Sequence, residues 1–161
     1  MIEKIHKRKR LNPDEALESL KKFCAYQERS HSEVRNRLIE HQVYGDTLDT
    51  IVAELITENF LNEERFARSF ARGKFRIKKW GKTKIVLELK KRKVSDYCIK
   101  KAMTEIDEEE YLQCAISLLV KKKDSLKEGD KYKLRKKLTS YMIQKGYEYA
   151  AINEAIRIIE N

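Results

Sequence analysis

The sequence predicts an all-α protein: three tandem three-helix repeats forming an elongated, curved array. The first of three observations behind this is a recurrent apolar pattern. Val34, Leu38, Val43, Leu48 and Ile51 stand at spacings that recur in Ile85, Leu89, Val94, Ile99 and Ala102, 51 residues on, and in Leu138, Met142, Tyr147, Ile152 and Ala155, 53 further. Spacings of this kind describe two apolar helix faces joined by a turn, and their repetition marks stacked helical units. The second is the scarcity of breakers. One Pro and five Gly in 161 residues, with no run alternating at period two, leave no room for a β-rich fold. The third is that each unit opens on a helix-start signal: Asn12 with Pro13, Asn62 with Glu63 and Glu64, and Asp107 with Glu110.

Asn12, Pro13, Asp14 and Glu15 cap and open the first helix, whose stripe is Ala16, Leu17, Leu20, Phe23 and Cys24, ending near Gln27. Ser30 and Glu33 form a capping box for the second, which carries Val34 and Leu38 and ends around Gln42. Asp46 or Thr47 is expected to cap the third. Asn62 caps the fourth, with Leu61 and Phe66 in the positions of a hydrophobic staple and an inward stripe of Phe66, Ala67, Phe70 and Ala71. That helix should run into Lys78 and stop near Trp80-Gly81. Lys82 to Lys91 is the fifth helix, holding Ile85 and Leu89, and Ser95 caps the sixth. Asp107 with Glu110 suggests another capping box for the seventh. Asp130 caps the eighth, with Leu134, Leu138 and Met142, which Gly146 closes; the ninth spans about Tyr147 to Ile159. The expected units are 12–60, 61–106 and 107–161, after a flexible basic arm over 1–11 that either touches nucleic acid or stays unstructured. Units of about fifty residues sit near the lower limit for a self-sufficient core, so each should lean on its neighbour. Val34, Leu38, Phe66, Ala67, Phe70, Ile85, Leu89, Leu138 and Met142 are the expected repeat core.

Charge is distributed unevenly. The chain carries a net +10, and the window from Arg72 to Lys93 alone accounts for it. Its cations are Arg72, Lys74, Arg76, Lys78, Lys79, Lys82, Lys84, Lys90, Lys91, Arg92 and Lys93, against Glu88 alone. Upstream, Asp46 to Glu64 holds six acids and no Lys or Arg. Such clustering exceeds what solubility needs and should orient the molecule toward a polyanion; a solvated helix face is the blander reading. Trp80, among these cations, is expected to anchor helices in preference to stacking on bases, and Arg65 to pair with an Asp or Glu of its own chain.

Catalytic and metal signatures are missing from the sequence: no Gly-rich phosphate loop, GxSxG, zinc spacing or EF-hand loop. Cys24, Cys98 and Cys114 lie far apart in apolar stretches and read as small buried hydrophobes of a reducing compartment. His6, His31 and His41 read as surface or helix-end residues. The expectation is a cytoplasmic non-enzyme without cofactor or metal, without a membrane segment, and monomeric.

Three segments resemble the RecX family of bacterial recombination regulators: Ala16-Leu17 through Ser30-His31-Ser32-Glu33-Val34 with Arg35 and Leu38; Leu61-Asn62-Glu63-Glu64-Arg65-Phe66-Ala67; and Trp80-Gly81 with Ile85, Glu88-Leu89 and Lys93-Val94. The family usually has Asp where Asn62 stands and often Gly where Lys93 stands, so a tighter or strained turn is expected at Lys93. The resemblance implies a protein that binds the groove of the RecA recombinase filament on single-stranded DNA. It implies inhibition of ATPase, strand exchange and co-protease activity, and modulation of recombination, DNA repair and the SOS response, with contact to single-stranded DNA weak or indirect. A second reading is a stand-alone helix-turn-helix-like DNA-binding protein. It suits the residues less well, because the third helix of the first unit is acidic and that of the second offers Lys100 and Lys101 alone to a major groove. A purely structural helical scaffold is a third.

Overall fold

In the computed structural model, which describes residues 7–161, the chain forms nine helices: α1 Pro13–Tyr26, α2 His31–Glu40, α3 Gly45–Thr57, α4 Glu63–Arg76, α5 Lys82–Lys91, α6 Asp96–Met103, α7 Glu108–Ser125, α8 Lys131–Lys145 and α9 Tyr149–Glu160. The helices pack chiefly within consecutive triplets, so the architecture is a tandem all-α array. All fifteen residues of the recurrent apolar pattern are buried, from Val34 and Leu38 at 0% exposure to Val94 and Ile99 at 6%.

The turn that breaks the pattern has one geometry in every unit. Gln42, Lys93 and Gly146 occupy equivalent positions and all adopt positive φ, at 61°, 58° and 95°. After each, the next N–H donates back across the helix end: Val43 to the Leu38 carbonyl at 2.9 Å, Val94 to Leu89 at 3.2 Å, Tyr147 to Met142 at 3.0 Å. These are Schellman closures, which satisfy carbonyls that a helix end leaves free. Gly146 adopts the conformation without a Cβ penalty, whereas Gln42 and Lys93 bear it; the strain expected at Lys93 takes this form.

The first helices join the same register. Ala16, Leu20 and Cys24 are buried at the positions that Ala67, Ala71 and Phe75 occupy 51 residues later, and Tyr111, Ala115 and Leu119 a further 44. Since the later helices of the third unit are shifted by 53, that unit holds nine extra residues between its first two helices. They lengthen α7 and supply the connection that leads to Asp130.

Local capping follows the sequence where side chains suffice. Asn12 accepts from the Glu15 N–H, Asn62 from Arg65, Ser95 from Cys98, Asp107 from Glu110 and Asp130 from Lys133, and Ser30 and Glu33 make the full capping box. Several expectations are corrected. α3 starts at Gly45 behind Tyr44, which offers no side-chain cap, so neither Asp46 nor Thr47 fills that role. At Asp107 the cap is one-way. α4 ends at Arg76, short of Lys78. Leu61 belongs to the core of the first unit while Phe66 belongs to that of the second, so they form no staple. Phe70 is half-buried at the margin of the core rather than inside it.

The arm is also more ordered than expected over its described part. The Arg8 N–H donates to the Glu40 carbonyl at 2.9 Å, its guanidinium pairs with the Glu40 carboxylate at 2.7 Å, and the buried His41 donates from Nδ1 to the Lys9 carbonyl at 2.7 Å. The end of α2 thereby holds Arg8 to Leu11. Residues 1–6, His6 among them, lie outside the described residues. Cys24 and Cys98 are buried and Cys114 half-buried, receiving the Tyr147 hydroxyl at 3.3 Å.

Candidate polyanion-facing surface

The basic window folds into one continuous feature: the end of α4, the connection from Ile77 to Gly81, and α5 with its following turn. Lys74 and Arg76 project from α4, whose apolar stripe is turned to the core. Lys78 and Lys79 lie exposed on the connection, and their carbonyls accept from the third unit, from Lys145 Nζ at 3.3 Å and the Tyr147 hydroxyl at 3.2 Å. On α5, burial of Ile85 and Leu89 sends Lys84, Lys90 and Lys91 toward solvent.

Trp80 organises part of this surface. Its ring is half-buried against the core, edge-on to Phe70 at 6.4 Å, and two ammonium groups stand over it, Lys74 Nζ at 4.8 Å and Lys84 Nζ at 4.5 Å. Arg92 stands 4.8 Å from the Phe70 ring. The anchoring role expected for Trp80 holds, with the addition that its ring holds two cations in place without neutralising them.

The eleven cations are not equivalent. Arg72 pairs with Glu105 at 3.1 Å, beside Arg68 on the same carboxylate at 2.9 Å. Lys82 pairs with Glu108 and stands over the Tyr111 ring. Lys91 and Arg92 share Glu88 at 3.1 and 3.0 Å. These hydrogen bonds hold the Glu88 and Glu105 carboxyls below the ordinary carboxylate range. Among the described residues, no carboxylate is within ion-pair distance of Lys74, Arg76, Lys78, Lys79, Lys84, Lys90 or Lys93. Seven of the eleven therefore present uncompensated charge and four are tied into the fold. Arg65 pairs with Glu28 at 2.6 Å, the intramolecular role expected for it.

Two features escaped sequence reasoning. Ile77 and Leu87 lie among the cations with 78% and 52% of their surface exposed, so the patch is mixed, basic with apolar points. Leu87 is out of phase with Ile85 and Leu89, and that mismatch was the available signal. A second basic set lies in the third unit, where Lys121, Lys123, Lys131, Lys133, Lys136 and Lys137 are exposed together with Tyr132. Summing charge over the chain conceals this set, because acids elsewhere cancel it. No group of His, Cys, Asp and Glu among the described residues is arranged to hold a metal, and no helix there is long and apolar enough to cross a membrane.

Comparison with known proteins points one way. Residues 62–103 match the second three-helix domain of RecX, and residues 108–156 match its third. The regulatory protein RecX of Clostridium perfringens (strain 13) is 33% identical over 135 residues, which cover 83% of this chain and 63% of that protein. The chain thus spans about three fifths of the length of that relative. The regulatory protein RecX of Prosthecochloris aestuarii is 30% identical over 134 residues, covering 83% of this chain and 86% of the relative. The crystal structure of RecX from Lactobacillus salivarius superposes with a TM-score of 0.85 at 20% identity, covering 92% of this chain and 96% of that one. A second structure, of regulatory protein RecX, gives 0.80 at 18% identity over 88% and 71%.

Proposed function

Because the chain belongs to the RecX family of regulatory proteins, we propose that it binds along the groove of a RecA filament on single-stranded DNA and restrains the recombinase, without catalytic activity of its own. One observation carries the reading. Seven uncompensated cations are interleaved with exposed Ile77 and Leu87 on one unit of an array. A purely phosphate-facing surface needs cations alone, whereas a nucleoprotein groove offers both anionic and apolar contacts. An array of repeats suits a helical groove because it contacts more than one protomer at once. Tying protomers together removes the freedom of mutual orientation that ATP turnover and filament growth require. Asp46 and Glu54, exposed on α3 and outside every ion pair among the described residues, are suited to basic surface on the same filament.

The test is recombinase ATPase on single-stranded DNA with the protein added below stoichiometry. Inhibition is expected, weakening as salt rises. A variant with Lys78, Lys79, Lys84 and Lys90, all uncompensated, replaced by Gln should lose potency. Undiminished inhibition by that variant at physiological salt would contradict the assignment of the surface. Tight, sequence-selective binding to bare duplex, with no effect of recombinase, would favour a stand-alone DNA-binding protein instead.

A further inference from the structure

The two joints of the array differ in kind. Between the second and third units the apolar core is continuous, from Phe66 and Phe75 through Tyr111 to Ile156. Backbone meets backbone there: the Gly81 N–H donates to the Lys145 carbonyl at 2.7 Å and the Thr83 N–H to Gly146 at 2.9 Å. A Cβ on Gly81 would stand 2.2 Å from the Gly146 carbonyl group. Phe75 and Tyr111 meet across the same seam with ring centroids 5.8 Å apart.

Between the first and second units the apolar clusters stay separate. Polar groups make the joint. Arg65 reaches back to Glu28 at 2.6 Å and to the Asn59 carbonyl at 3.1 Å. The Ser32 hydroxyl donates to the Arg92 carbonyl at 3.0 Å, and Arg92 Nε lies 3.8 Å from the Glu33 carboxylate. A cavity of about 340 Å³ lies between, lined by Glu28, Glu33, Phe66, Phe70, Lys74 and Arg92. Glu28 Oε2 is enclosed and has no hydrogen-bond partner among the described residues.

We propose that the joint between the first and second units is the compliant hinge of the array, held by an ionic latch in which Arg92 takes part, and that a polyanion on the basic surface loosens it by drawing Arg92 from Glu33. Half-exposed ion pairs are weak and salt-screened, and the stranded Glu28 oxygen works against closure. A continuous apolar seam with interlocked backbone has neither weakness. Arg92 links joint and surface: Glu88, one turn back in the same unit, holds its Nη1 at 3.0 Å, while its Nε lies a loose 3.8 Å from Glu33, and a phosphate oxygen offers that Nε a closer partner. The hinge stands on the joints alone; its release rests on the basic surface facing a polyanion.

The experiment uses the full chain carrying probe pairs on introduced azide side chains, leaving the three cysteines untouched, at the exposed positions Glu54 and Lys100 for the first joint and Lys100 and Glu154 for the second. Distance distributions are compared at 0.1 M and 1 M NaCl, over which the screening length falls from about 10 to about 3 Å. The first pair should be the broader and should broaden further with salt, while the second stays narrow. Glu33→Gln, which retains a capping-box side chain, and Glu28→Gln should each reproduce the high-salt width at low salt. First-joint distances as narrow as those of the second, or unmoved by salt and by both variants, overturn the hinge. Adding a single-stranded oligothymidylate at low salt should broaden the first pair alone. If it leaves that pair unchanged while salt broadens it, release by polyanion is wrong and the hinge stands.

Discussion

Replacing Gly81 with alanine tests the rigid joint directly. The new methyl carbon would lie 2.2 Å from both the carbon and the oxygen of the Gly146 carbonyl and 2.4 Å from the Tyr147 nitrogen. All three are backbone atoms, so no side-chain rotation relieves the overlap. Moving the units apart far enough to restore contact distance costs about 1–3 kcal/mol, as overpacking usually does. It also breaks the bonds from the Gly81 and Thr83 N–H groups to Lys145 and Gly146, each worth about 1 kcal/mol net. The unfolded state loses freedom, which offsets about 0.4–1 kcal/mol, since the φ of −75° and ψ of 164° at Gly81 suit alanine. The balance is a loss of about 2–4 kcal/mol, which for a chain of this length lowers the melting temperature by about 5–15 °C. Urea titration and thermal melting read it, and recombinase inhibition should weaken in parallel because the basic unit and the third unit lose their fixed spacing. A Gly81→Ala protein within about 0.5 kcal/mol of the parent would refute the interlocked-backbone account.

Further outcomes follow from the turns and the buried groups. Lys93→Gly should raise stability by about 0.5–1 kcal/mol, because relief of a left-handed residue exceeds the added freedom of the unfolded chain; a melt that falls would show Lys93 is unstrained. Tyr111→Phe should cost about 1–3 kcal/mol in urea titration, because the Tyr111 hydroxyl accepts from the Lys82 N–H at 2.9 Å and donates to Glu148 at 2.7 Å, and both partners are left unmatched. Burial pushes the Cys24 thiol from its ordinary 9.0 up to about 11. The folded state then holds its proton more tightly than the unfolded state, so this contribution is intact below pH 9 and is lost between pH 9 and 11. Burial also raises Tyr111 and Tyr147, which act in the same alkaline direction. A urea midpoint that holds steady or rises from pH 8 to pH 10.5, or alkylation of Cys24 as fast in the folded protein as in urea, would contradict this.

Much of the architecture was legible because its causes are local. A capping side chain acts on an N–H three residues away, and helical period places Leu89 under Ile85 whatever lies opposite. The span Lys82 to Lys91, the caps at Asn12, Asn62, Ser95 and Asp130, and the threefold register all follow from such short-range rules. The failures also have local causes. Tyr44 and Gly45 start α3 without a side-chain acceptor, so the nearest Asp or Thr misled, and Leu61 has an apolar side chain that fits either neighbouring core.

By itself, then, the sequence determined the helices, their turns and the concentration of positive charge, since each depends on neighbours along the chain. The tertiary structure alone decided which cations stay uncompensated, because Arg72 meets Glu105 and Lys82 meets Glu108 from distant helices. It alone made one joint apolar and interlocked and the other polar. That difference arises where Gly81 touches Gly146 and where Arg92 faces Glu33, pairs that are remote in sequence and that composition and spacing do not bring together.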